Sequence, residues 1–318
     1  MGKLGAVFPG QGSQYIGMGE DFFDRFEEAR NIFAEAGEVL KTDIKSICFK
    51  GPQEALDLTV NTQTCLLTIS VAAYRIFEAE TGIKPSVMAG HSLGEYSALC
   101  AAGAFEFADV LKLVNARARC QQEAVPSGEG SMAAIIGIER ESVEAICKDI
   151  SGDGEIVELA NMNSPNQFVI SGHVKAVEKA IEKAKDKGAK RGIKLPISIP
   201  SHCSLLRDAA DRFEENLKEI KIKEFSSEVI PNCDPHVLHS KENTRELLKR
   251  QLYSPVRWQE TVKKMAQREI DTVAEVGPKR VLSGLIKRIA PNMGTINVED
   301  SNSLKKAAEF LKDRQLNP

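Results

Sequence analysis

Apolar and polar residues follow two different periods along this chain, one typical of buried strands and the other typical of helices. Short apolar runs at residues 4–8, 86–89, 229–232 and 272–276 predict strands, and the first ends in a turn rich in glycine and proline. Residues 64–79 are apolar on most faces, which predicts a central helix. Strands alternate with further predicted helices, and this order indicates an α/β protein; those helices occupy residues 95–103, 109–123, 205–220, 258–268 and 279–289.

The stretch between residues 131 and 196 has an order of its own. Its pattern predicts strands at 132–138, 156–160, 167–171 and 192–195 and helices at 140–150 and 174–187. The order β-α-β-β-α-β is that of a ferredoxin-like unit. We therefore predict a large α/β-hydrolase-like domain with a parallel sheet core, formed by residues 1–126 and 198–318. A small ferredoxin-like subdomain, residues 127–197, is inserted into it.

The composition excludes several kinds of partner. Apolar residues make up 42% of the 318 positions, which is ordinary for a globular protein with a large core. A formal net charge of −3 gives no overall attraction to nucleic acid or to an anionic membrane, so we expect neither as a partner. No apolar run approaches the roughly 18 residues that a transmembrane helix needs, and the run at the N-terminus is too short for a signal peptide.

The seven cysteines are scattered and odd in number. None has the spacing of a zinc site or belongs to a recognisable disulfide framework. Free thiols persist in a reducing compartment. We therefore expect a cytoplasmic protein that uses no metal and no cofactor.

The segment at residues 90–94, Gly-His-Ser-Leu-Gly, lies between a predicted strand and a predicted helix and matches the G-x-S-x-G nucleophile turn. In such a turn the serine is at the tip, and the glycines let strand and helix pass closely. The N–H of Leu93 would then lie at a helix N-terminus, where it can stabilise an oxyanion. The alternative is an ordinary turn with a capping serine, but the flanking strand and helix favour Ser92 as a nucleophile.

A serine nucleophile needs a base, and the chain offers five histidines. His202 follows an apolar extended run and precedes the predicted helix at 205–220, a setting in which polar residues are often functional. We predict that His202 is the base for Ser92; a loop histidine without a catalytic role is the alternative. The side chain of His91 is expected to point away from Ser92. The other histidines are expected to lie in a subdomain turn, His173, or solvated in a polar loop, His236 and His239.

The carboxylate of a hydrolase triad is missing from its usual place, because no acid lies in a matching strand-end turn between Ser92 and His202. Asp208 and Asp211 follow His202 on a predicted helix, where a solvated face is the simpler interpretation. We therefore predict a Ser–His dyad whose imidazole is oriented by a backbone carbonyl or an amide.

Seven matching segments, in order over nearly the whole chain, connect the sequence to a known family. They are FPGQGSQ at 8–14, GHSLGEY at 90–96, Arg117, ANMNSP at 160–165, PSH at 200–202, SPVRW at 254–258 and EVGP at 275–278. The chain resembles the malonyl-CoA:acyl-carrier-protein transacylase family, which loads malonyl groups in bacterial fatty acid synthesis.

The resemblance implies a two-stage reaction. The malonyl group passes from malonyl-CoA to Ser92 and then to the phosphopantetheine thiol of acyl carrier protein, with His202 as the base in both stages. The resemblance also implies that the backbone N–H groups of Gln11 and Leu93 hold the oxyanion. By the same likeness, the main-chain carbonyl of Gln251 lies beside His202 and replaces the triad acid.

The resemblance also assigns a substrate pocket. The surroundings of Arg117 look like a solvated basic stretch, but the family likeness implies that its guanidinium clamps the free carboxylate of malonyl through two parallel hydrogen bonds. His91 and Asn161 are expected near the substrate. Two positions leave the exclusion of methylmalonyl open. Many relatives carry methionine at the position of Gln121, and in modular polyketide acyltransferases a serine at the position of Ser201 can accompany methylmalonyl selection.

We expect a monomer whose protein partner is the acidic acyl carrier protein. A basic run in the subdomain is suited to steering it, although a solvated helix end explains the run equally well: Lys183, Lys185, Lys187, Lys190, Arg191 and Lys194. The competing functions are a thioesterase or hydrolase with the same dyad, a polyketide-pathway acyltransferase, and a silent carrier-binding module. Intact Ser92 and His202 argue against the last.

Overall fold

The computed structural model describes residues 2–126, 128–152, 154–197 and 199–314. Strands and helices alternate through most of this part of the chain. Its strands are, in chain order, β1 (Lys3–Phe8), β2 (Val87–Gly90), β3 (Gly130–Ile136), β4 (Val157–Ser164), β5 (Gln167–His173), β6 (Arg191–Lys194), β7 (Glu228–Ile230), β8 (Ile270–Val276) and β9 (Gly294–Val298). They form two separate sheets, one parallel and one antiparallel.

The parallel sheet has the strand order β7-β2-β1-β8-β9. Its central strand β1 pairs with β2, where Val7 lies opposite Ala89, and with β8, where Val7 lies opposite Glu275. Helices cover both faces of such a sheet, so its strands are buried on both sides and appear in the sequence as continuous apolar runs. The four strands predicted for this sheet are confirmed, whereas β9 was not predicted.

One helix, α5 (Thr59–Thr81), forms the centre of the larger apolar core. Every residue from Thr62 to Tyr74 is buried, which confirms the central helix predicted at 64–79. No described helix is long and apolar enough to cross a bilayer. The helices are α1 (Glu20–Arg25), α2 (Glu27–Leu40), α3 (Ile44–Phe49), α4 (Gln53–Leu56), α5 (Thr59–Thr81), α6 (Gly94–Ala101), α7 (Phe107–Gln122), α8 (Arg140–Ile150), α9 (Val174–Asp186), α10 (Arg207–Glu219), α11 (Thr244–Tyr253), α12 (Trp258–Gln267), α13 (Val281–Ile289) and α14 (Ser301–Asp313).

The antiparallel sheet has the strand order β4-β5-β3-β6, with α8 and α9 packed on it. This is the ferredoxin-like βαββαβ arrangement. The unit buries an apolar cluster of its own, which includes Ile135, Ile146 and Phe168. The predicted fold class, an α/β protein with a parallel sheet and an inserted ferredoxin-like unit, is confirmed.

Backbone hydrogen bonds join β4 of the antiparallel sheet to the segment between α11 and α12. The N–H of Val256 donates to the carbonyl of Ala160 at 2.8 Å, and the N–H of Met162 donates to the carbonyl of Val256 at 2.9 Å. The predicted junctions at 127 and 198, and the outer limits of the large domain at 1 and 318, lie outside the described residues. The division into two domains stays a prediction.

Candidate active site

The segment at residues 90–94 forms a tight turn between β2 and α6. Ser92 at its tip has φ +52°, a left-handed conformation that costs energy for a residue other than glycine. A Cβ on Gly90 would lie 1.8 Å from the carbonyl carbon of Gly94, and one on Gly94 would lie 2.0 Å from the carbonyl oxygen of Phe8. The two glycines are therefore required by close backbone packing, and the predicted strand–turn–helix context is present.

The side chain of Ser92 meets that of His202. The Oγ of Ser92 lies 2.7 Å from Nε2 of His202, and Nδ1 of the same ring lies 2.8 Å from the carbonyl oxygen of Gln251. Because a carbonyl only accepts, Nδ1 carries the proton and Nε2 is free to accept from the serine hydroxyl. His202 also has a left-handed backbone, φ +64°, and its own N–H donates to the carbonyl of Leu252 at 3.0 Å.

Burial keeps His202 neutral. Only 3% of the residue is exposed, and this burial, with a smaller effect of the positive charge on Arg117, lowers the pKa of His202 to about 3. The imidazole is thus available as a base throughout the neutral pH range. The hydrogen bond to the Gln251 carbonyl acts in the opposite direction, because it favours the protonated ring.

Arg117 is buried beside the nucleophile, with only 1% of the residue exposed. Its Nη2 donates to Oγ of Ser92 at 3.1 Å and to Oε1 of Gln251 at 2.9 Å. The two arginines of the basic stretch on α7 therefore differ, because Arg117 is buried and Arg119 is exposed. A cation at this distance favours the alkoxide form of the serine.

Two glutamines hold the other end of the guanidinium. Nη1 of Arg117 donates to Oε1 of Gln63 at 2.6 Å and to Oε1 of Gln121 at 3.0 Å. Nε2 of Gln63 donates to the same oxygen of Gln121 at 2.8 Å, so the three side chains form a closed ring of hydrogen bonds. Gln121 thus faces Arg117 directly, whereas Ser201 lines the cavity described next.

A cavity of about 230 Å³ opens between the two sheets above Ser92. The residues of the sequence motifs and of α13 that line it are Gly10, Gln11, Gly12, Ser13, His91, Ser92, Asn161, Asn163, Ser201, His202, Val281, Leu282 and Leu285. Its remaining lining comes from the ferredoxin-like unit and the segment after it, through Met132, Gln167, Val169, Leu195 and Ile197. The two parts of the chain thus form the site together.

Two backbone N–H groups, one next to Ser92 in sequence and one in the cavity wall, are candidates for holding an oxyanion. Leu93 stands at the N-terminus of α6, and Gln11 lies in the turn after β1. Within the described ranges, neither N–H donates to a protein acceptor. The N–H of Ser92 itself is occupied, because Oδ1 of Asn232 accepts from it at 2.6 Å. Leu93 and Gln11 are the pair that the family resemblance implies, and their role as oxyanion donors stays a prediction.

His91 and Asn161 both line the cavity, as expected, but His91 faces away from the serine hydroxyl. Its Nε2 lies 2.8 Å from Oδ1 of Asn163 and 3.4 Å from Nδ2 of Asn161. Burial lowers the pKa of His91, so the ring is neutral and donates from Nε2 to the Asn163 oxygen. His91 is therefore a polar wall of the pocket rather than a second base.

Sequence reasoning missed several polar residues beneath the turn, and one expectation was wrong. His239 is not solvated: only 5% of it is exposed, and its Nε2 lies 2.8 Å from Oε1 of the fully buried Glu95. Asn232, at the end of the predicted strand 229–232, holds the Ser92 N–H, and Gln63 is a polar residue within the apolar helix α5. The signal that could have identified Asn232 and Gln63 in the sequence was a polar residue within an apolar run.

The geometry provides the parts of an acyl transfer through serine. Ser92 has a neutral base, a nearby cation and two N–H groups, one at the N-terminus of α6 and one in the turn after β1, which are suited to stabilising an alkoxide and a tetrahedral oxyanion. In the part of the chain that the structure describes, no three His, Cys, Asp or Glu side chains are grouped so that they could hold a metal ion.

Comparisons with known proteins agree with this chemistry. The family model described as acyl transferase domain matches residues 6–308. A malonyl CoA-acyl carrier protein transacylase of Bacillus subtilis is 44% identical over 317 residues, which is 100% of both chains. The solved structure of a malonyl CoA-acyl carrier protein transacylase from Coxiella burnetii is 43% identical, covers 98% of each chain and has a TM-score of 0.95.

A third similar protein was solved as a complex. It is a malonyl-transacylase with its type II PKS acyl-carrier protein, 44% identical to this chain, with a TM-score of 0.94 over 97% of this chain and 99% of that one. The family model covers most of the sequence, and the relatives match it from end to end. The chain therefore belongs to the acyl transferase family, among the malonyl CoA-acyl carrier protein transacylases that its motifs predicted.

Proposed function

We propose that this enzyme transfers a malonyl group from malonyl-CoA to the phosphopantetheine thiol of acyl carrier protein, through a malonyl ester of Ser92. The observation that carries the proposal is the buried guanidinium of Arg117, 3.1 Å from the Oγ that receives the acyl group. An ordinary esterase has no use for a buried cation at this point, whereas malonyl brings a free carboxylate to it. The names of the similar proteins support the same reaction.

In the first stage, Oγ of Ser92 attacks the thioester carbonyl while its proton moves to Nε2 of His202. The carbonyl oxygen becomes an oxyanion that accepts from the N–H groups of Leu93 and Gln11. The tetrahedral intermediate then breaks its C–S bond, and the imidazolium gives its proton to the departing CoA thiolate. The carbonyl of Gln251 keeps Nδ1–H in place throughout, which fixes the ring and its tautomer.

In the second stage the same groups act in the same order on a different nucleophile. His202 takes the proton of the phosphopantetheine thiol, and the sulfur attacks the carbonyl of the malonyl ester. When the intermediate breaks its C–O bond, the proton returns to Oγ of Ser92. Both substrates thus use one cavity in turn, which predicts ping-pong kinetics.

Selection of malonyl follows from Arg117 in this proposal. Once Ser92 is acylated, the carboxylate two bonds beyond the ester carbonyl reaches the guanidinium and accepts from Nη2 the hydrogen bond that Oγ accepts in the free enzyme. Nε of Arg117, which has no partner among the described residues, donates the second, parallel hydrogen bond. Gln63 and Gln121 hold Nη1 from behind and fix the plane of the guanidinium. His91 and Asn161 supply polar groups on the facing wall.

The carrier protein in this proposal belongs to fatty acid synthesis in the cytoplasm. A polyketide carrier protein is the alternative, because one of the similar structures contains such a partner. We assign the encounter surface to Lys187, Lys190 and Arg191, which are exposed. Two other members of the basic run are paired within the subdomain, since Lys183 contacts Asp149 and Lys194 contacts Glu178.

The test is to incubate the protein with labelled malonyl-CoA, with and without carrier protein, and to follow intact masses. We expect a malonyl adduct on the enzyme that moves to the carrier protein, and no adduct on Ser92→Ala. Fatty acid and polyketide carrier proteins are compared as acceptors. Rapid release of free malonate would instead identify a hydrolase, and the absence of any adduct on the wild-type enzyme would identify a binding module.

A further inference from the structure

Glu95 is a carboxylate buried directly beneath the nucleophile turn, and none of the chemical steps above uses it. It lies on α6, three residues after Ser92, and is 0% exposed. Among the described residues, neither lysine nor arginine forms an ion pair with it. Instead Oε2 accepts from the N–H of Asn232 at 2.9 Å and from Nε2 of Gln251 at 2.8 Å, and Oε1 faces His239.

The hydrogen bonds of His239 explain how this carboxylate is tolerated without a lysine or arginine. The hydroxyl of Thr244 donates to the carbonyl of Ser240 at 2.6 Å, so its oxygen accepts from Nδ1–H of His239 at 3.1 Å. The other ring nitrogen of His239 lies 2.8 Å from Oε1 of Glu95. A proton therefore lies between Nε2 of His239 and Oε1 of Glu95. Whether the pair is written as a carboxylate with an imidazolium or as a carboxylic acid with a neutral imidazole, it carries no net charge.

The first route from Glu95 to the reaction passes through the amide of Gln251. Both hydrogens of its Nε2 are taken, one by Glu95 and the other by the carbonyl of Ser92 at 2.9 Å. The amide is thereby prevented from flipping, and its Oε1 is directed at Nη2 of Arg117, 2.9 Å away. The main-chain carbonyl of the same residue accepts from His202. One residue thus orients both the base and the cation.

The second route passes through Asn232. Its N–H donates to Glu95, while its side chain accepts from the N–H of Ser92 at 2.6 Å and donates to the carbonyl of Gly90 at 2.6 Å. These two side-chain bonds span the strained turn from one side to the other. They also keep the Ser92 N–H away from the oxyanion position.

We propose that Glu95, paired with His239, is a positioning residue that fixes the side-chain amide of Gln251 and, through it, the orientation of Arg117. This role rests on the proposed malonyl transfer and adds to it the group that holds the acyl-selecting cation in place. The site therefore does contain a carboxylate, but Gln251 lies between it and the imidazole of His202. It acts through an amide rather than on the histidine ring.

The experiment compares Glu95→Ala and Glu95→Gln in the full-length enzyme, with Ser303→Ala as a matched control. Ser303 is also buried but belongs to the capping box of α14, so its loss removes buried hydrogen bonds without touching the site. The rates of CoA release from malonyl-CoA and acetyl-CoA are measured separately. Both are normalised to the acyl-enzyme formed, which counts only folded enzyme.

For Glu95→Ala we expect kcat/KM for malonyl-CoA to fall about 100-fold, because the carboxylate loses its hydrogen bonds to the amide of Gln251 and to the N–H of Asn232. The preference for malonyl over acetyl falls about tenfold with it. Glu95→Gln keeps one acceptor oxygen and recovers most of the preference. Ser303→Ala keeps wild-type rates and preference at a lower melting temperature.

A double-variant cycle separates positioning from general damage. Gln251→Ala keeps the main-chain carbonyl that faces His202 but removes the amide, so alone it reproduces the loss of preference. Adding Glu95→Ala to it causes no further tenfold loss of the preference for malonyl, since both changes break the route through the Gln251 amide; the route through Asn232 affects the rates for both donors alike. Unchanged preference in either single variant, or losses that multiply in the double variant, would overturn the proposal. Gln251→Ala decides the matter even where Glu95→Ala does not fold.

The wild-type enzyme, measured alongside, keeps the two proposals apart. Wild-type enzyme that forms no malonyl adduct overturns the proposed function. Wild-type enzyme that loads malonyl, together with Glu95 variants that match it in rate and preference, overturns only the positioning role of Glu95.

Discussion

Replacing Arg117 is the sharpest test of how the site selects its acyl group. The buried guanidinium makes two contributions that the structure separates. Its Nη2 contacts Oγ of Ser92 in the free enzyme, a contact that helps every acyl donor, and it is also the group that meets a carboxylate once malonyl arrives. Arg117→Ala removes both, whereas an acetyl donor uses only the first.

The magnitudes follow from the number of bonds. Two charge-assisted hydrogen bonds to the malonyl carboxylate contribute about 3 to 4 kcal/mol together, which corresponds to about 10²- to 10³-fold in kcat/KM. The single contact to the serine oxygen contributes about tenfold for both donors. We therefore expect the preference for malonyl over acetyl to fall by about 10²- to 10³-fold in Arg117→Ala. Arg117→Lys keeps a charge but lacks the planar fork, so it recovers only part of this preference.

Stability must be followed in the same variants, because the guanidinium also satisfies buried acceptors. Oε1 of Gln63 and Oε1 of Gln251 lose their donor when it is removed, and each such loss costs about 1 to 3 kcal/mol. The assay is CoA release from malonyl-CoA and from acetyl-CoA, with urea unfolding as the control for folding. Equal losses for the two donors in folded Arg117→Ala would refute the carboxylate clamp.

Two further predictions concern the base and the carrier protein. Because burial lowers the pKa of His202 to about 3, kcat/KM for acylation should stay level from pH 8 down to about 5, where a histidine with the ordinary value of 6.5 would already cost about 30-fold. Between pH 6.5 and 3 the imidazole of His202 is protonated in the unfolded chain but not in the folded one, so the free energy of unfolding falls as the pH falls through this range. In urea titrations His202→Gln should make this dependence on pH weaker. A fall in kcat/KM centred near pH 6.5 would contradict the assignment. Reversing the charges of Lys187, Lys190 and Arg191 should raise the KM for carrier protein about tenfold at low salt and leave malonyl loading from CoA unchanged, and unaltered carrier kinetics would rule out this surface.

Features that depend on neighbouring residues could be predicted from the sequence. The turn at Ser92 is one of them, because its strand, glycines and helix follow one another within a few positions. The ferredoxin-like unit is another, since its strands and helices come from one continuous stretch and bury a core of their own. The motif around His202 indicated the base for the same reason, although its distance from Ser92 required the fold.

Features that depend on distant pairs could not be predicted in this way. Glu95 and His239 are 144 positions apart, and only their meeting turns a histidine of a polar loop into a buried one. The helices α1, α2, α3, α4, α11 and α14 were not predicted, and α14 was missed although Asp300 and Ser303 form a capping box at its start. Neither α1 nor α11 has a side chain that caps its first turn, and α1 spans only six residues. Their formation depends on packing rather than on local propensity.

The pairing of Val256 with β4 has a consequence for engineering the enzyme toward bulkier extender units. Both the N–H and the carbonyl of Val256 are committed to this strand, on either side of Asn161. A hinge that swung the antiparallel sheet outward would break these bonds, so widening the cleft in this way costs two backbone hydrogen bonds. Replacing side chains that line the cleft, such as Met132 and Leu195, with smaller ones makes room for a larger acyl chain without breaking this pairing.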